Sequence, residues 1–173
     1  MTKKSVKERI RTAGPTTRTV PVWLGADMDL VEKYQAAKAE LEEASPAKTL
    51  DGAGGKAEIE TRMTALRKQL EEFRVDFKIR GLSDRRYERL LAEHPPRKAE
   101  DGSVHPKDNL GWDRTTFPAA LVRAATVEPE LDDDDWLVLL GDDEQDGQLT
   151  GGQFDDLAAA AFRLSQHAID VSF

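Results

Sequence analysis

The stretch DDEQDGQLTGGQF, Asp142 to Phe154, comes nearest in this chain to a chemical motif. With Asp142 at position one of a calcium loop, Glu144 falls at three, Asp146 at five, Gly147 at the six-position turn, Leu149 at eight and Gln153 at twelve. Two positions depart from what calcium needs. Glu144 is too long for its slot, and Gln153 cannot supply the bidentate carboxylate of the twelfth position. The stretch therefore reads as a turn between two helices, with a calcium-responsive module as the weaker alternative. His94, His105 and His167 have no second ligand at metal-binding spacing, and each fits a structural or solvated position. The absence of cysteine excludes thiolate metal sites, cysteine nucleophiles and disulfides. The glycine-rich DGAGG at 51–55 follows a helical pattern rather than a strand, so it is a linker and not a phosphate cradle. No ordered serine, histidine and aspartate set and no spaced carboxylate pair stands out. The expectation is a protein that is not an enzyme, with no catalytic, cofactor-binding or metal-ligating residue.

The elements are legible from caps, breaks and periodicity. Val20, Val22 and Leu24 form a short extended run around Trp23, with Pro21 favouring a sheet edge. Asp27 or Asp29 caps a helix to about Ala44, with Leu30, Tyr34, Ala37 and Leu41 on one side. A second helix, about Ala57 to Arg74, repeats Ile59, Met63, Leu66, Leu70 and Phe73 at 4-3-4-3 spacing, the seam of helices lying side by side. Glu58 with Arg62 and Arg67 with Glu71 sit at i,i+4 on its charged faces. Joined by SPAKTLDGAGGK, the two helices are expected to fold back as an antiparallel hairpin. Val75, Phe77 and Ile79 alternate with charges as a strand that pairs with the run around Val22.

From Gly81 onward the chain reads as three short helices with one apolar face each. Ser83 caps the first, which Pro95 and Pro96 end. Thr116 caps the second, with Pro118 in its first turn, where a missing N–H costs nothing. Asp132 to Asp135 open the third, where carboxylates favour the helix dipole. The polar loop Arg97 to Gly111 lies between the first two, and loops of this length are often functional or disordered. A last helix carries Phe154, Leu157, Ala158, Ala161, Phe162 and Leu164, and Ile169, Val171 and Phe173 alternate after it as a strand or a peptide for a partner. The expected fold is mainly α: a small helical domain with an antiparallel helical hairpin and two or three short β-strands. Residues 1–19 form a flexible basic arm and 20–173 one mainly helical domain, with 27–74 as the hairpin insertion and 81–173 as the helical core.

Across 173 residues the net charge is −8, which argues against general nucleic-acid binding. No window is apolar enough to span a membrane. The charge is unevenly placed. Residues 1–19 hold Lys3, Lys4, Lys7, Arg9, Arg11 and Arg18 against Glu8, whereas Ala124 to Phe162 holds acids and no Lys or Arg. Charge runs of this kind most often form a disordered tail and a solvated acidic face; the alternative is that a basic arm and an acidic end make contacts with a partner or between copies. Trp23, Trp112 and Trp136 are the large anchors and are expected in the core, with Trp112, beside the turn at Asn109 to Gly111, the one of the three that would be partly exposed at an interface.

The order of these segments resembles the tail assembly chaperones of long-tailed siphophages that infect actinobacteria. The matching residues are the strand ending near Ile79, SDRRYERLLAEHPP, Gly111-Trp112, FPAALVRAATVEPELDDDDWLVLL and QFDDLAAAAFRLSQHAIDVSF, so the likeness covers about 75–173. It implies a non-catalytic protein of the host bacterial cytoplasm that coats the helical tape-measure protein and helps tail tube protein assemble around it. Self-association, through the basic arm and the acidic end, is a further expected contact. Trp112, Phe117, Leu121 and Trp136 are the candidate partner-binding residues. The rival reading is a structural virion protein of tail or connector, whose basic arm locks onto a neighbour's acidic end.

Overall fold

The computed structural model describes residues 5–43 and 53–167. The protein is mainly α, with seven α-helices and a small three-stranded sheet among those residues. The strands are β1 (Thr17–Trp23), β2 (Arg74–Arg80) and β3 (Thr126–Glu128), in the order β1-β2-β3. The pairing of β1 with β2 is the one that their alternation predicts. β3 was not anticipated. It runs antiparallel to β2, with Lys78 opposite Glu128 and an ion pair of 2.9 Å between their side chains. The chain divides into two compact units, Met1–Val20 with Asp76–Phe173, and Pro21–Val75. The sequence pattern predicts one mainly helical domain over 20–173.

The unit Pro21–Val75 is built on two helices, α2 (Met28–Glu43) and α3 (Ala53–Glu71), packed against each other. The Asp27 carboxylate accepts from the Asp29 N–H at 2.9 Å, which settles the cap on Asp27. Ala37 and Leu70 are buried, while Tyr34, Leu41, Ile59, Met63 and Leu66 are half-buried. Arg67 pairs with Glu71 at 3.6 Å as expected. Arg62 instead pairs with Glu40 on α2, since a guanidinium on this face reaches the neighbouring helix as easily as its own next turn. The segment 44–52 and the tail 168–173 expected as a strand or peptide lie outside the described residues.

The larger unit carries the core. In the basic arm, α1 (Val6–Thr12) forms with Ser5 as its cap; it buries nothing and leaves Val6 and Ile10 exposed. The organising helices are α4 (Asp84–Glu93), α5 (Phe117–Ala125), α6 (Asp133–Leu140) and α7 (Gly151–Gln166). α7 packs on α5 and α4, and α4 packs on α5. Phe77, Ile79, Phe117, Leu121, Val122, Ala125, Leu157 and Ala161 are fully enclosed. Alanines at 158, 160 and 161 are buried on α7, small side chains that permit close helix approach. Both α6 and α7 start in capping boxes, Asp132 with Asp135 and Thr150 with Gln153. Thr116 makes no side-chain cap; its hydroxyl bonds His94 Nδ1 at 2.8 Å, so the side chain is diverted from its own helix. Ser83 also makes no side-chain cap bond.

Gly81 joins β2 to α4 where no side chain fits. A Cβ there would sit 2.4 Å from the backbone oxygen of Leu164 on α7. Its N–H donates to the Thr16 carbonyl at 2.9 Å, so the backbone has little room to retreat. Gly81→Ala is expected to destabilise this unit by roughly 1–3 kcal/mol, in the range of overpacking substitutions. Chemical denaturation checks this, and an unchanged midpoint would refute the close approach.

Candidate partner-binding site

α5 is placed by Pro118 in its first turn, and its stripe Phe117, Leu121, Val122 and Ala125 turns wholly inward. Phe117 is the centre of an aromatic cluster. Its ring lies 5.0 Å from Trp112, 5.7 Å from Tyr87 in an edge contact, 5.8 Å from Phe162 and 6.1 Å from His94, centroid to centroid. Burial, with Glu88 adjacent, raises the Tyr87 phenol above its ordinary range. The four candidate partner residues therefore divide. Phe117 and Leu121 are core, with no exposed surface. Trp112 is half-buried against Phe117 and Phe162. Trp136 is 5% exposed; its ring packs on Phe77 and has the Arg123 guanidinium 6.0 Å from the ring centroid. Helical spacing marks an apolar face but not what covers it, and here α7 and β2 share the core with that face.

The loop 97–116 holds a feature that sequence reasoning missed. Asp108 is fully buried, at the end of a single 3-10 turn, Pro106–Asp108. Its carboxylate accepts four hydrogen bonds: from the Arg97 backbone N–H at 2.9 Å, Arg97 Nε and Nη2 at 2.8 Å each, and the Arg114 N–H at 3.1 Å. Arg97 also reaches Asp113 at 3.2 Å. The Arg97 hydrogen bonds hold the Asp108 carboxyl well below the usual carboxylate range despite its burial, and Asp108 in turn raises the Arg97 guanidinium. The Thr115 N–H lowers Asp113. An aspartate fixed as the anion and an arginine fixed as the cation do not exchange protons near neutral pH. The trio is a clasp that ties down a long loop.

The stretch read as a possible calcium loop is bound up with itself. Asp142 Oδ1 accepts the N–H groups of Glu144 and Gln145, both at 2.8 Å. Gly141 adopts φ +73°, and its bridge to Asp146 closes a tight turn. Gln153, the twelfth position, donates its N–H to Thr150 Oγ1 and accepts the Thr150 N–H at 3.1 Å as the third residue of α7. Among the described residues, no group of three or more His, Asp or Glu side chains is arranged to hold a metal. His105 accepts the Lys107 N–H beside the 3-10 turn, and His167 follows the end of α7.

A groove crosses the outer side of α4, α5 and α6. One end is a recess of about 500 Å³ lined by Ser83, Arg85, Arg86, Arg89, Leu90, Glu93 and Ala124. The adjoining recess, about 440 Å³, shares Leu90, Glu93 and Ala124 and adds His94, Ala120, Arg123, Leu131, Asp133 and Trp136. Leu90, Ala120, Ala124, Leu131 and Trp136 give it an apolar lining among charged side chains. Arg123 is ion-paired with Asp133 across it. Its apolar lining comes from Trp136 and Leu131 and not from Phe117 and Leu121, which have no exposed surface.

No family model, no curated protein and no solved structure matches the chain. Among the described residues, no helix is long and apolar enough to cross a membrane.

Proposed function

We propose that this chain is a non-catalytic assembly chaperone of a phage tail, acting in the host bacterial cytoplasm on the tape-measure protein. The observation that carries the reading is the groove over α4, α5 and α6, with an apolar lining and a charged rim. A tape-measure helix laid in it would cover its own apolar stripe and stay soluble until tail tube protein replaces the chaperone. In this reading α2 and α3 form an antiparallel helical hairpin, which adds a second charged helical surface. Residues 1–19 act as the basic arm beside the mainly helical body, and no cofactor takes part.

Co-expression with the tape-measure protein of the same genome, followed by affinity purification and light scattering, tests this. The expected result is a soluble stoichiometric complex, with the tape-measure protein insoluble when expressed alone. Ala124→Glu, at the residue that both recesses share, is expected to reduce recovery of the complex at least tenfold, the effect of ~1.4 kcal/mol or more. Its circular dichroism is expected to match the parent. A tape-measure protein that is soluble alone and forms no complex would overturn the reading. An unimpaired Ala124→Glu variant would move the site away from the groove.

A further inference from the structure

We propose that the arginine end of this groove also takes a second copy of the chain, through the exposed face of α6 and the acidic turn that follows it. The inference rests on the groove being a docking surface, as the chaperone reading does, but not on the identity of the other partner. On the receiving side, Arg85, Arg86 and Arg89 line one recess with Ser83, Leu90, Ala124 and a single acid, Glu93, so the recess carries an excess of positive charge. None of the three arginines is ion-paired among the described residues. A chain of net charge −8 thus keeps three free guanidinium groups together around an apolar patch.

The complementary surface lies on the same molecule. α6 buries Trp136 and Leu139, yet leaves Leu137 44% and Val138 54% exposed, two large aliphatic side chains side by side. Asp134 stands one turn before them on the same face, unlike Asp132 and Asp135, which are committed to the capping box. After α6 the chain folds back, with Gln148 N–H donating to the Val138 carbonyl at 3.1 Å and Leu149 N–H to the Leu139 carbonyl at 3.0 Å. That return sets the acidic turn, with Asp143, Glu144 and Asp146 exposed, beside the last turn of α6. None of these four acids is ion-paired among the described residues.

Three free arginines around Leu90 and Ala124 therefore match four free acids around Leu137 and Val138 in both charge and hydrophobicity. The two patches are different surfaces. Used reciprocally across a two-fold axis they make two equal contacts and a closed dimer; used in one direction they chain copies head to tail. A copy seated in the groove covers Leu90 and Ala124, so self-association and the binding of a partner helix exclude each other.

Sedimentation velocity on the purified full chain tests the contact, at low and high salt and over a range of concentrations. The expected result is a dimer or larger species at low salt that dissociates at high salt, because exposed charge pairs are screened. Arg85→Glu/Arg86→Glu/Arg89→Glu and Leu137→Glu/Val138→Glu, all at exposed positions, are each expected to be folded monomers. An equimolar mixture of the arginine variant with Asp134→Lys/Asp143→Lys/Glu144→Lys is expected to associate again through the reversed charges. A parent chain that stays monomeric at low salt would overturn the proposal, as would variants that associate like the parent or a mixture that does not recover. A monomer that still solubilises the tape-measure protein removes this inference and leaves the chaperone reading. A salt-sensitive dimer that forms no such complex does the reverse.

Discussion

Phe117→Ala is expected to lower the melting temperature of the larger unit by on the order of 10 °C. Removing a buried phenylalanine costs about 3–5 kcal/mol, and each kcal/mol moves the midpoint of a domain this size by a few degrees. The upper end of that range applies, for two reasons visible in the cluster. Phe117 has no exposed surface, so water cannot refill the space without meeting apolar walls. Its ring also touches Tyr87, Trp112 and Phe162, which come from α4, the 97–116 loop and α7, and tilted or edge contacts of this kind add about 0.5–1.5 kcal/mol each beyond area. The neighbours cannot collapse into the gap without moving three elements at once. Leu137→Ala, on the exposed face of α6, is the matched control at high salt, where the proposed contact between copies is open, and its expected shift there is within about 0.5 kcal/mol of zero. Differential scanning calorimetry separates the two. A Phe117→Ala shift as small as that of Leu137→Ala would mean that the aromatic cluster is not the centre of the unit.

The same residue shows how far periodicity carries and where it stops. The 117–121–125 stripe, the α2 and α3 seams and the strands around Val22 and Phe77 were legible, because burial imposes a period on the sequence. Whether a stripe meets the chain's own α7 or another protein leaves no mark in that period, so Phe117 and Leu121 were expected at a partner surface and lie in the core. Trp136 was in the same set, and it is nearly buried yet borders the groove. The groove itself combines Leu90, Ala124 and Leu131 from three separate segments, a juxtaposition that exists only after folding. β3 is three residues long and directly follows α5, too short for alternation to register. Thr150 and Gln153 stood at capping-box spacing in plain view. Gln153 departs from the twelfth position of a metal loop, and its place as the third residue of α7, closing the capping box with Thr150, is what that departure left unexplained.

Asp108 was the least legible of all, an ordinary aspartate in a polar loop until the loop closes on it. Asp108→Asn is expected to lower the melting temperature at neutral pH by several degrees, since an amide offers one acceptor oxygen where the carboxylate takes four donors, and it turns an N–H₂ toward Arg97. Arg97 would keep only Asp113 as a counter-charge. The effect also carries a pH signature. The folded-state pKa of Asp108 lies below its unfolded value of about 4, chiefly because Arg97 hydrogen-bonds the anion. The unfolded chain therefore takes up this proton first as the pH falls. The contribution of Asp108 is complete above about pH 4 and is lost progressively as the pH drops toward the folded value. Asp113 and Asp101, both lowered by hydrogen bonds, give the same sign and leave some acid dependence in the variant. Parent and Asp108→Asn are thus expected to differ most near neutral pH and to draw together progressively as the pH falls below about 4, with the shallower acid limb in the variant. Urea denaturation from pH 7 downward reads this directly. Curves that stay parallel to low pH would show that the charge on Asp108 contributes nothing, and that the clasp holds the loop by shape alone.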